Sequence, residues 1–168
     1  LDLVLPVKLN TKSAEDYMRA VIKRFHHDLE AGLEVKITPA KLSNAVQTFN
    51  QIRSGLQRIY EIRRDHSGAL SSRDLHAIVR ASMVMDRNML ADSLSAVVNL
   101  LQTQKHETDT AKKRLMLTGG ICSMPDIYHQ IEDVGGTVVW DDFCTGSRYF
   151  EGRIDSDGDL LNSIGQRY

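Results

Sequence analysis

Cysteine is scarce in this chain. Only Cys122 and Cys144 occur, too few for a disulfide framework, and both are expected to be thiols in a reducing, cytoplasmic setting. Charge of one sign is not in excess either: 21 basic residues stand against 22 acidic ones, without a basic or acidic tail. A general nucleic-acid binder needs a clustered positive surplus for its phosphate contacts, so no nucleic-acid partner is expected. Long hydrophobic runs are missing as well. The most apolar stretch, 94–101, is interrupted by Ser95 and Asn99 and is far too short to span a bilayer. Residues 1–6 lack the basic flank and cleavage pattern of a signal peptide, so no membrane partner is expected. The chain begins with leucine and reads as a fragment of something longer.

What is present suffices for a core. With 168 residues, 42% of them hydrophobic, the chain can bury one domain or two small substructures without staples. Ser13 followed by Asp16 fits a capping box, and Tyr17, Val21, Ile22, Phe25 and Leu29 recur at helical spacing up to a stop at Gly32. Thr38-Pro39 opens a second helix whose apolar face runs from Leu42 through Val46, Phe49, Ile52, Leu56 and Ile59 to Tyr60. Ser71 with Asp74 caps a third helix, ending near Met85, and a fourth follows Asp86 with Leu90, Leu94, Val97, Val98 and Leu101.

The period then changes. After a polar connection at 104–113, the run RLMLT (114–118) reads as a strand ending in Gly119-Gly120. Residues 123–134 read as a helix closed by Gly135-Gly136, and TVVW (137–140) as a second, buried strand. Strand, helix and strand within about 30 residues form a βαβ unit with parallel strands. The expected architecture is α/β: a helical segment over 1–110, then a parallel Rossmann- or flavodoxin-like unit over 111–168, truncated before it is complete, with a further helix beginning near Asp159.

In a parallel sheet, ligands bind beyond the carboxyl ends of the strands, and both cysteines fall in the loops there. Three readings of Cys144 stay open. As a phosphatase-like nucleophile it has Arg148 too close behind it, and Asp141 and Asp142 oppose a thiolate. As a turn residue it would be a small hydrophobe. As a metal ligand it would suit an iron–sulfur cluster, with Gly146 leaving room for inorganic sulfur and Thr145 and Ser147 able to bond to it, other ligands coming from elsewhere. Cys122 reads as a small residue packed at a strand end.

Other features have plain explanations. DSDGD (155–159) places its glycine too early for a calcium loop. His26 and His27 are adjacent and point apart on a helix. Arg53, Arg58, Arg63 and Arg64 read as a solvated helix face, and Met83, Met85 and Met89 as core filling. Gly119-Gly120 lacks the fuller glycine pattern of a nucleotide loop.

The run RLMLTGGICSMPDIYHQIEDVGGTVVWDDFCTGSRYF resembles the benzoyl-CoA reductase and 2-hydroxyacyl-CoA dehydratase family, as does LEVKITPAKLSNAVQTFNQIRSGLQRIYEIRR in the helical part. GGICSMPDIY and the RYF ending look closer to the benzoyl-CoA reductase branch. The resemblance implies a middle and later part of an oxygen-sensitive subunit that carries a 4Fe-4S cluster on three cysteines. It implies a sister subunit, a CoA-thioester substrate, and a separate ATP-hydrolysing activator passing single electrons at low potential to the cluster. Cys144 matches the cysteine of the family's late D-D-x-C-T-G motif and is the cluster ligand the resemblance assigns here. The complete protein is expected to be an enzyme and this fragment alone inactive. The competing expectations are a 2-hydroxyacyl-CoA dehydratase subunit and a non-catalytic flavodoxin-like binding or assembly domain.

Overall fold

A computed structural model describes residues 4–6, 11–106, 111–122 and 127–167. Four helices come first: α1 (Lys12–Leu33), α2 (Pro39–Asp65), α3 (Ser72–Val84) and α4 (Arg87–Thr103). Then follow β1 (Lys113–Thr118), α5 (Ile127–Asp133), β2 (Gly136–Asp142), α6 (Ser147–Phe150) and α7 (Leu160–Arg167). The fold is α/β with a helical N-terminal part. Its residues pack as two compact units, one of Leu1–Asn50 with Gly152–Tyr168, the other of Gln51–Glu151.

In the first unit, α1 begins earlier than the Ser13–Asp16 pattern predicts. Thr11 is the N-cap, its side chain accepting from the Ala14 amide, because its extended backbone frees the hydroxyl to do so. The buried positions of α1 are Ala14, Met18 and Ile22, whereas Tyr17 is exposed. The helix also runs past Gly32 to Leu33 and stops at Glu34, which adopts the left-handed conformation at φ 53°. Glu30 closes the turn that follows, accepting from the Ile37 amide at 2.7 Å and pairing with Lys36 at 3.1 Å. The Ile37 amide, more than the Lys36 charge, holds the Glu30 carboxyl below its usual range. Thr38 caps α2 as expected, through the Lys41 amide. α1 packs on α7, whose first turn is capped by Asp159.

In the second unit the core joins Ile52, Leu56, Ile59 and Tyr60 of α2 to Leu75 and Val79 of α3, Leu90 and Leu94 of α4, and Phe150 of α6. Ser71 caps α3 as expected, and α4 starts after Asp86 as expected, with the Asp86 side chain as its cap. Met83 and Met85 pack against this core, but Met89 is exposed, because it faces away from the stripe of Leu90, Ala91 and Leu94. The arginines of α2 require a further correction. Arg58 and Arg64 are solvated, but Arg53 is 8% exposed and Arg63 only 1%, because Arg63 turns inward to donate to the Ser67 carbonyl, to Ser72 Oγ at 2.9 Å and to Thr137 Oγ1 at 2.5 Å.

The two strands pair in parallel, as the βαβ pattern requires, from Lys113 opposite Gly136 to Thr118 opposite Asp142, with an irregularity between Leu115 and Met116. β2 is buried along most of its length. β1, in contrast, is almost wholly exposed, since among the described residues only β2 pairs with it. A second small core forms from Cys122, Tyr128, Val138 and Phe143. The expected helix over 123–134 is described from Ile127 to Asp133; residues 123–126 lie outside the described residues, as do 107–110 of the polar connection. No helix among the described residues is long and apolar enough to cross a membrane.

Candidate functional site

Because the strands run in register to Thr118 and Asp142, the loops that follow both leave the same sheet edge. They are joined by backbone and side-chain bonds. The Gly119 amide donates to the Asp142 carbonyl at 3.2 Å, and the Cys144 amide to the Gly120 carbonyl at 3.1 Å. Thr145 Oγ1 accepts from the Cys122 amide at 3.1 Å and donates to the Cys122 carbonyl at 3.2 Å. The two cysteines thus lie in adjoining loops, Cys122 buried and Cys144 exposed, with no disulfide between them.

Two of the roles expected around Cys144 change. The Thr145 hydroxyl is committed to the Cys122 backbone, and Ser147 is buried in the first turn of α6. Gly146 makes room not for sulfur but for Asp141: a Cβ there would lie 1.8 Å from Asp141 Oδ1. Its φ of −134° lies outside the left-handed region, and what a side chain there would lack is space.

The aspartate pair splits by pleat. Asp141 points inward and is 0% exposed. Its Oδ2 accepts from the Tyr60 hydroxyl at 2.7 Å and the Tyr128 hydroxyl at 3.0 Å, and its Oδ1 from the Ser147 amide at 2.8 Å. Burial first, then the Asp141 charge, pushes both tyrosine hydroxyls far above the ordinary tyrosine range, so they remain proton donors to that carboxylate. Asp142 points outward and is gripped by Arg148, Nε to Oδ1 at 2.5 Å and Nη2 to Oδ2 at 2.6 Å, while Nη1 reaches the Gly119 carbonyl at 3.1 Å. Arg148 holds the Asp142 carboxyl below its usual range, and Asp142 followed by Cys144 holds the Arg148 guanidinium above its own. Sequence spacing set the aspartates against a thiolate. In the structure one is buried among donors and the other is paired with Arg148.

Behind the edge, His76 stacks on Tyr128 with ring centroids 4.4 Å apart and an interplanar angle of 20°. Its Nε2 is buried with no partner among the described residues. Burial, followed by the Arg80 charge, depresses its pKa below 6.5, against a smaller opposing pull from Asp141. The unfolded chain therefore takes up the proton more readily than the folded one, and the neutral ring's contribution is complete above pH 6.5 and lost as pH falls below it. A His76→Phe variant keeps a flat ring on Tyr128 and removes the unpaired nitrogen. It is expected to be neutral or stabilising by up to about 1 kcal/mol at pH 7. Urea midpoints at pH 5 and 7 should differ less in this variant than in the native chain, and an equal difference would exclude His76 as the titrating group.

Among the described residues no three His, Cys, Asp or Glu side chains gather as a metal site. A metal held by the exposed Cys144 thiol would need its other ligands from outside the described residues.

Two relatives are similar in sequence. A benzoyl-CoA reductase subunit of Thauera aromatica is 25% identical over 155 residues, covering 89% of this chain and 39% of that protein. The putative dehydratase subunit YjiM of Escherichia coli (strain K12) is 24% identical over 171 residues, covering 98% and 44%. The chain thus spans about two-fifths of the length of these curated relatives. A family model described as 2-hydroxyglutaryl-CoA dehydratase, D-component, matches residues 2–168, and the chain belongs to that family.

Proposed function

We propose that this chain is part of a subunit of an ATP-dependent iron–sulfur CoA-thioester reductase, of the benzoyl-CoA reductase kind, and that Cys144 is a ligand of its 4Fe-4S cluster. The observation that carries the reading is the presentation of Cys144: an exposed thiol at the carboxyl edge of a parallel sheet, in a loop fastened on both sides, within a family of CoA-thioester enzymes. Such a cluster, when bound, supplies single electrons at low potential. This chain's residues hold the thiol at the sheet edge, with Arg148 and Asp142 fixing the outer side of the loop and Asp141 the inner side. The partners in this reading are a sister subunit, an ATP-hydrolysing activator and a CoA thioester, in the cytoplasm, and the fragment alone is inactive.

A second reading, a 2-hydroxyacyl-CoA dehydratase subunit, is favoured by the family description and by the relative named as a dehydratase subunit. Identities of 25% and 24% do not separate the two. The test uses the complete protein, prepared without oxygen. Cys144→Ala is expected to lose most of its iron and sulfide while keeping its helical content by circular dichroism. Unchanged iron would overturn the ligand role and leave a non-catalytic binding or assembly domain ahead. Turnover of benzoyl-CoA against a 2-hydroxyacyl-CoA, each with activator and ATP, then chooses the branch.

A further inference from the structure

We propose that Asp141 is the positioning residue of this edge: it acts through Gly146 and Ser147 to set where the Cys144 thiol stands. A buried carboxylate is costly unless its oxygens are satisfied, and Asp141 forms no ion pair among the described residues. Its charge is instead shared among three donors from three places: Tyr60 on α2, Tyr128 on α5 and the Ser147 amide at the start of α6. The Ser147 bond reaches back over six residues of chain and closes the segment that contains Cys144.

Inside that segment the Gly146 amide donates to the Phe143 carbonyl at 3.0 Å, and the Cys144 amide is held by Gly120. The cysteine is therefore bracketed: β2 ends one side of it, and the Asp141–Ser147 bond fixes the other. Glycine is the only residue type that fits at 146, because any side chain there would occupy the position of Asp141 Oδ1. The spacing from aspartate three residues to cysteine, two more to glycine and one more to a donor amide is thus a single device. The bonds of Asp141 are to the two tyrosines and to the chain beyond the cysteine.

The device works through the hydrogen bonds that Asp141 accepts and the space that Gly146 leaves for it. Asparagine can keep the bond that closes the segment, since its oxygen can still accept from the Ser147 amide, while the two phenols lose the acceptor they share. Alanine at 141 removes the acceptor, and alanine at 146 displaces it.

The consequence for a cluster rests on the ligand reading above, so the test needs one readout that does not. Hydrogen–deuterium exchange of the peptide covering 144–148 is followed in the complete protein, metal-free and anaerobically reconstituted, for Asp141→Ala, Gly146→Ala and Asp141→Asn. Both alanine variants are expected to raise exchange in that peptide by about tenfold or more, the factor for losing a hydrogen bond to a charged group. Exchange in α4 should not change, and Asp141→Asn should stay near native. Iron retained under chelator challenge should fall in the alanine variants and recover in Asp141→Asn. Native exchange at 144–148 in both alanine variants would overturn the proposal, as would failure of Asp141→Asn to restore it. Should Asp141→Ala fail to fold, Gly146→Ala, which keeps the carboxylate, decides alone. If Cys144→Ala keeps its iron while the alanine variants still open the loop, the ligand reading fails and the positioning role stands.

Discussion

Replacing Arg63 with alanine is expected to cost about 3–5 kcal/mol of stability, the usual penalty for removing one member of a buried charged network. The guanidinium is 1% exposed and serves acceptors on two helix ends and a strand: the Ser67 carbonyl after α2, Ser72 Oγ at the start of α3 and Thr137 Oγ1 on β2. Ser72 Oγ in turn accepts from the Val138 amide at 3.0 Å, and the Ser72 amide donates to Glu132, which lies 3.7 Å from Arg63. Alanine would leave these acceptors in a dry cavity and Glu132 with less of its counter-charge. Burial pulls the Arg63 pKa down and the Glu132 charge opposes it, while the guanidinium stays protonated. A lysine at 63 keeps the charge but lacks the planar fork that reaches several acceptors at once, and should fall between native and alanine. Urea unfolding of the three proteins measures the order; a loss for Arg63→Ala no greater than that for the exposed Arg64→Ala would overturn it.

The same residue shows where sequence reasoning stopped. Helix caps at Thr38 and Ser71 were legible because each is a local bond between a side chain and an amide three residues away. The parallel pairing of β1 and β2 was legible from the short βαβ spacing. The burial of Arg53 and Arg63 was also written there but overridden by their charge: residues 53, 56, 60 and 63 recur at helical spacing, placing both arginines on the stripe of Leu56 and Tyr60. The site divides likewise. The position of Cys144 at the strand end follows from local pattern, and so does the fact that Asp141 and Asp142 point to opposite faces. The partners of Asp141 do not, because Tyr60 lies 81 residues away and nothing in the spacing brings the two together. Gly146 was seen as significant for the wrong neighbour, since a glycine signals close approach without naming what approaches.

Tyr60 joins the core of the second unit to the sheet edge that carries Cys144, and its truncation to alanine is expected to cost about 3–5 kcal/mol. The ring packs against Trp140 in an edge-on arrangement at 5.2 Å and against Phe150 at 4.9 Å, so β2 and α6, which flank the Cys144 loop, both rest on it. Its hydroxyl gives Asp141 the shorter of two phenolic bonds. Tyr60→Phe separates these contributions: it keeps the ring and removes the donor, and should cost about 1.5 kcal/mol, because Tyr128 and Ser147 still serve the carboxylate. Denaturant unfolding of both variants measures the two effects, and equal losses would assign the whole contribution to the hydroxyl. The variants should also part at the edge. With the ring in place, the Asp141–Ser147 bond persists in Tyr60→Phe, and exchange at 144–148 stays close to native. With the ring gone, Trp140 and Phe150 lose their common support, and the loop between them opens even though every residue of the D-D-x-C-T-G motif is unchanged.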